Sequence, residues 1–151
     1  MALPNQALVL VADGRKILFF RNHGDENQID LRTEAHDERA DAKDSDMKTD
    51  SAGSMKQSGG FGRPSYDETD FQQQAEDQWA KDTAGLLNRR ALSNDYDALV
   101  VVAPPKTLGE LRKHFHKETE KRIVATFNKE MTDRPLADIE DLLAGEAAPP
   151  A

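Results

Sequence analysis

The run ALVLVADGRKILFFR, residues 7–21, decides the fold. Ala7 to Ala12 is a continuous apolar stretch, and it stops at Asp13-Gly14, a dipeptide that turns the chain. Lys16 to Arg21 follows at once, so the two halves read as the arms of a β-hairpin. A second turn, Asn22-His23-Gly24-Asp25, leads into a weaker strand around Ile29 to Glu34. Three antiparallel strands are therefore expected in the first 35 residues.

Beyond them the composition changes. From Ala35 to Ser65 there is no Val, Ile, Leu, Trp or Tyr, and Phe61 is the single aromatic residue. Such a stretch buries too little apolar surface to offset an ordering cost of roughly 1–2 kcal/mol per residue. It reads as a long flexible loop over 35–65. Ser65 and Glu68 then stand at capping-box spacing, and Phe71, Ala75, Trp79 and Leu86, with Leu87 beside them, fall on one face of a helix running to about Leu92.

Asp97 to Ala103 (DALVVVA) is unbroken in its apolar character, as a central parallel strand is, and Pro104-Pro105 ends it. Thr107 and Glu110 repeat the capping-box spacing, and Leu108, Leu111 and Phe115 supply the stripe of a second helix. Alternation of Ile123, Ala125 and Phe127 predicts a strand over Arg122 to Lys129. Pro135 opens a last helix with Leu136, Ile139, Leu142 and Leu143 on its face, closed by Gly145. The order is β-β-β-(long loop)-α-β-α-β-α: an α/β domain with a mixed sheet, of the ribonuclease H-like type. One domain is expected over 6–145, with a disordered tail at 146–151.

Composition narrows the function classes. With 151 residues, 37% hydrophobic and 32% charged, the chain can build one core of ordinary size. It has no cysteine, which removes disulfides, thiolate nucleophiles and cysteine-held metals. The apolar run after Gln6 is too short for a signal peptide or a membrane span, so a cytoplasmic location and no membrane insertion are expected. A net charge of −8 argues against non-specific coating of nucleic acid but leaves room for a local basic face.

No complete set of catalytic residues is present. Two-metal nuclease chemistry needs carboxylates clustered at strand ends. Here Asp13 sits in a turn where Asp serves the backbone, and Asp97 lies at the wrong end of its strand. His114 and His116 point apart on a helix and have no third ligand nearby, so they read as solvent-facing residues close to a helix C-terminus. No metal or other cofactor is expected. Two features remain. Ser58-Gly59-Gly60-Phe61-Gly62-Arg63 offers a pliable backbone with one stacking ring and one cation, or else is a plain linker. Lys106, Arg112, Lys113, Lys117, Lys121 and Arg122, joined by Arg89 and Arg90, form either a solvated helix face or an RNA-backbone contact.

The start of the chain, the Ser58–Arg63 segment and above all APPKTLGELR (Ala103 to Arg112) resemble the bacterial host-attachment protein family, over about Gln6 to Leu143. That family is in turn similar to the middle domain of the archaeal and eukaryotic class I peptide release factors. The resemblance implies a ribonuclease H-like fold whose Gly-Gly-Gln loop precedes a long helix and enters the peptidyl transferase centre. Gly59 and Gly60 match that motif in type and place, and Phe61 stands where the glutamine would be. In release factors the glutamine helps to place the hydrolytic water, and phenylalanine has no polar group for that task.

The reading is a non-catalytic family member that binds the ribosome, tRNA or rRNA through Gly59, Gly60, Phe61, Gly62 and Arg63, with Lys106, Arg112, Lys113 and Lys117 as backbone contacts. An interaction protein that promotes attachment to host cells, through a protein partner, and a peptidyl-tRNA hydrolase are the alternatives. The sequence leaves the oligomeric state open.

Overall fold

The structure, a computed structural model, describes the backbone of residues 2–38 and 65–147 and the side chains of residues 2–35 and 71–145. Strands β1 (Leu8–Ala12), β2 (Lys16–Asn22) and β3 (Leu31–Glu38) come first, followed by helix α1 (Ser65–Leu92) and strand β4 (Leu99–Ala103). Helices α2 (Pro105–His114) and α3 (Lys117–Glu120), strand β5 (Ile123–Asn128) and helix α4 (Leu136–Ala147) complete the order. They form a five-stranded mixed sheet, β3-β2-β1-β4-β5. β1 pairs antiparallel with β2 and parallel with β4, and β4 pairs parallel with β5. This is a ribonuclease H-like α/β arrangement, and the unbroken apolar runs of β1 and β4 are its centre because both of their faces are covered.

Each face carries its own core. Leu8, Leu10, Phe19, Leu99 and Val101 meet α1 and α2 on one side, while Val9, Val11, Phe20, Val100 and Val102 meet Leu3, Ile139 and Leu143 on the other. Asp13 makes the hairpin turn: its Oδ1 accepts from the backbone N–H of Arg15 (2.8 Å) and of Lys16 (2.7 Å), and its Oδ2 accepts from Thr132 Oγ1 at 2.7 Å. In the second turn, a Cβ on Gly24 would lie 2.0 Å from the Gln28 carbonyl oxygen. Only glycine fits there.

Several expectations need correction. β3 begins at Leu31 and continues to Glu38, so residues 35–38 of the expected loop are strand, with Ala35 opposite Phe19 and Glu38 opposite Lys16. Pairing with an apolar hairpin arm holds residues whose own composition is loop-like. The remainder of that expected loop, up to Pro64, lies outside the described residues, as does the tail after Ala147. α4 runs through Gly145 to Ala147 instead of stopping at the glycine.

α1 starts at Ser65 and ends at Leu92, as expected, and buries Leu87 of the expected face, but the centre of its inward face is shifted. Its buried stripe is Ala80, Thr83, Ala84, Leu87 and Ala91, while Phe71 is 48% exposed and Trp79 and Leu86 are only partly covered. Reading only the large residues as the buried face misplaces its centre, because Ala80, Ala84 and Ala91 are core members as well. Asn94, with φ 59°, takes the left-handed position that stops the helix, and the Asp95 N–H returns to the Arg90 carbonyl at 2.9 Å. α2 begins at Pro105, two residues before the expected Thr107 cap. Pro104 is its N-cap and no side chain caps it.

β5 does not alternate cleanly. Leu99 aligns with Ile123 and Val100 with Ala125, so Val124 is the extra residue of a β-bulge. Ile123 therefore packs on the α1–α2 side, and Ala125 and Phe127 on the other.

Candidate functional site

The Gly-rich segment Gly59-Gly60-Phe61-Gly62-Arg63 lies outside the described residues. What is described is the helix it feeds. α1, at 28 residues, is about 42 Å long, and its first described side chain is the exposed Phe71. Two residues further on, Gln73 Nε2 donates to Asp77 Oδ1 at 2.8 Å, and Gln73 Oε1 accepts from Lys106 Nζ. Lys106, at the start of α2, also lies 3.6 Å from the Glu76 carboxylate. The Glu76 side chain sits over Gly14 of the hairpin turn, where a Cβ would come within 3.1 Å of it. Trp79 Nε1, on the next turn, is buried without a hydrogen-bond partner.

The ends of β1 and β4, where open α/β sheets commonly take ligands, thus carry Asp13, a lysine, amides and one glutamate. Asp13 is occupied at both oxygens by the turn and by Thr132. Among the described residues no three His, Cys, Asp or Glu side chains gather closely enough to hold a metal ion. The arrangement is one of hydrogen bonding and packing.

The basic residues separate into groups. Lys113 pairs with Glu110 at 2.6 Å and Lys121 with Glu118 at 3.3 Å. Arg122 bonds Glu118 (2.8 Å), the Tyr96 carbonyl (2.9 Å) and Asn94 Oδ1 (2.9 Å), which makes it a brace between α3 and the end of α1. Among the described residues Arg112, in the last turn of α2, donates to Thr126 Oγ1 at 3.1 Å, and it borders a groove of about 400 Å³ beside β5. Of the eight cations, Arg89, Arg112 and Lys117 carry no carboxylate partner among the described residues. Lys106 and Arg112 stand at opposite ends of α2, roughly 9 Å apart along its axis.

The histidines are structural in part. His116 caps α3, its Nδ1 accepting from the Glu118 N–H at 3.0 Å, so it belongs to the start of α3 as well as following α2. Asn88 joins the same region: its Nδ2 donates to the His114 carbonyl (2.9 Å), and its Oδ1 accepts from the His116 N–H (2.8 Å) and Thr119 Oγ1 (2.7 Å).

Sequence reading missed the strongest electrostatic feature. Arg21 and Arg90 alternate with Glu34 and Asp95 in a closed ring, with contacts of 3.0 Å from Arg21 to each acid and 2.6 Å from Arg90 to each. Arg21 also donates to the Gln6 and Asp95 carbonyls, and Arg90 lies 5.4 Å over the Phe19 ring. Burial works against the Glu34 and Asp95 carboxylates, but hydrogen bonds from Arg90 and then Arg21 overcome it and hold both pKa values below the usual carboxylate range. Burial likewise disfavours charge on Arg90, and its bonds to Glu34 and Asp95 reverse that and raise its pKa. The ring clamps the C-terminal end of α1 to β2 and β3. Its members are scattered from position 21 to position 95, and the one visible signal was an arginine closing an apolar strand.

A five-stranded mixed sheet in this order, with a 28-residue helix between β3 and β4, defines a ribonuclease H-like α/β domain. The chain belongs to the bacterial archaeo-eukaryotic release factor family 12, whose model matches residues 6–143. No curated protein matches the chain. Among the described residues no helix is long and apolar enough to cross a membrane.

Proposed function

We propose that the chain is a non-catalytic member of its family that binds the ribosome, tRNA or rRNA through Gly59-Gly60-Phe61-Gly62-Arg63. The observation that carries this reading is Phe61, two residues after Gly59 and just ahead of α1, in a release-factor-like chain. An aromatic ring on a glycine backbone can stack on a base without reading its identity, and it cannot orient water. Lys106, Arg112, Lys113 and Lys117 are the proposed phosphate contacts. Arg112 and Lys117 are the stronger candidates, since Lys106 and Lys113 would have to leave a glutamate to take a phosphate.

Co-sedimentation of the full chain with ribosomes tests the reading. The wild type is expected in the ribosome pellet, with retention falling as salt rises, and Phe61→Ala is expected to weaken it about tenfold through the lost stacking. A wild-type chain that stays in the supernatant at low salt ends the proposal.

The second reading is an interaction protein that promotes attachment to host cells. The stretch Ala103 to Arg112 that favours it folds as the end of β4 and most of α2, with Ala103, Leu108 and Leu111 in the core. Those positions speak for shared architecture and not for an adhesive surface. Surface-exposed protein on fractionation of cells would favour this second reading over the first.

A further inference from the structure

His116 performs a task that its own protonation forbids. It stands between α2 and α3 with an extended backbone, as the N-cap of α3. Its Nδ1 accepts from the Glu118 N–H at 3.0 Å. Only an imidazole with a free lone pair on Nδ1 can accept that bond, and an imidazolium carries a proton on both nitrogens. Ser, Thr, Asn and Asp, the usual residues at this position, keep their acceptor oxygens above about pH 5. Histidine is the side chain that changes charge between about pH 5 and pH 8.

We propose that His116 is a pH-sensitive cap, closed while its ring is neutral and open once the ring is charged, and that opening loosens α3. The other bonds at this end of α3 come from groups that do not titrate. The His116 N–H donates to Asn88 Oδ1 (2.8 Å), as does Thr119 Oγ1 (2.7 Å), and the His116 carbonyl accepts from the Thr119 and Glu120 N–H groups. Opening therefore frays α3 without detaching it from α1. The charged neighbours are Arg112, Lys113 and His114 in the last turn of α2, Lys117, Glu118 and Glu120 on α3, and Arg89 beside Asn88 on α1. Glu110 is engaged by Lys113, and Glu118 by Lys121 and Arg122. Among the described residues no carboxylate pairs with the His116 ring, so no acid makes up for the bond that protonation breaks. A cation at the start of α3 also opposes the N–H groups exposed there. The effect reaches the surface through Lys117 and through Glu120, which lines the groove beside β5.

Nuclear magnetic resonance of the full chain between about pH 8 and pH 5 tests the proposal, with carboxylates still charged at the lower limit. Three quantities are followed: the His116 ring protons, the Glu118 amide proton, and the exchange protection of the Glu120 and Lys121 amides, corrected for intrinsic exchange. In the wild type the Glu118 amide is expected to shift together with the ring protons, and protection to fall about fivefold, the loss of one cap. His116→Asn supplies an acceptor that does not titrate and is expected to keep its protection across the range. His116→Ala is expected to show the low protection at both limits. Three results would each overturn the proposal: a ring that stays neutral down to pH 5, a ring that titrates without moving the Glu118 amide, and an equal fall in His116→Asn.

Discussion

Asn22→Ala is expected to lower the free energy of unfolding by about 3–5 kcal/mol, measured by urea denaturation at neutral pH. Asn22 is fully buried, and each polar atom of its side chain is used twice. Its Nδ2 donates to the carbonyls of Leu3 (3.0 Å) and Pro4 (3.1 Å), and its Oδ1 accepts from the N–H groups of Gly24 and Asp30, both at 2.9 Å. One side chain thereby fastens the N-terminal segment to the end of β2 and shapes the turn into β3. Alanine strips the side-chain partner from the Leu3 carbonyl and the Gly24 and Asp30 N–H groups, in a place where Leu3 lies fully buried, while the Pro4 carbonyl still accepts from the Ala7 N–H at 3.1 Å. Asn22→Asp keeps the acceptor, loses both donors and turns a charge toward two carbonyls, so it should be no better tolerated. A loss under about 1 kcal/mol for Asn22→Ala would mean that water satisfies these groups without the side chain.

Arg21→Met is expected to cost about 2–3 kcal/mol. The Arg21 side chain is 9% exposed, whereas Glu34 and Asp95 are 32% and 40% exposed. Water can therefore relieve part of the loss at the acids, which places the expectation below that for a wholly buried pair. The Gln6 and Asp95 carbonyls get no such replacement from methionine. The ring also fixes a pH dependence. Glu34 and Asp95 both have folded pKa values below their unfolded ones. Their contribution to stability is accordingly complete above the unfolded carboxyl range near pH 4 and is lost as pH falls through the folded values. The wild type should lose stability between pH 5 and pH 3 (both roughly set by that range), and Arg21→Met should lose less over the same interval. Equal slopes in the two proteins would show that the ring carries no linkage.

The central sheet was legible because its signals are local. An Asp-Gly turn between apolar arms and the unbroken Leu99–Ala103 run each need only a few neighbouring residues to be read. The inward face of α1 was legible only in part: Leu87 is buried and Trp79 and Leu86 pack beside the core, but Ala80, Ala84 and Ala91 complete the buried stripe and a pattern of large side chains does not report them. The start of α2 was misread for a related reason: Pro104 and Pro105 preset the helix geometry, so Thr107 and Glu110 had nothing to cap. The bulge at Val124 also broke an alternation that looked regular in sequence. Residues 35–38 became strand through pairing with β2, a partner that local composition cannot report.

At the candidate site, the isolation of Arg112 from carboxylates and the Arg21–Glu34–Arg90–Asp95 ring both depend on contacts between distant positions. No spacing along the chain encodes them. The ring holds the C-terminal end of α1 against β2 and β3.

The most direct measurement puts binding and chemistry in one reaction: the full chain is added to ribosomes carrying peptidyl-tRNA, and both its retention and the release of peptide are followed. The expected result is a chain retained on the ribosome with peptide release no faster than in buffer. Release that disappears in Gly60→Ala would contradict the account by showing that Phe61 does not prevent hydrolysis. Absence of any retention would contradict it from the other side.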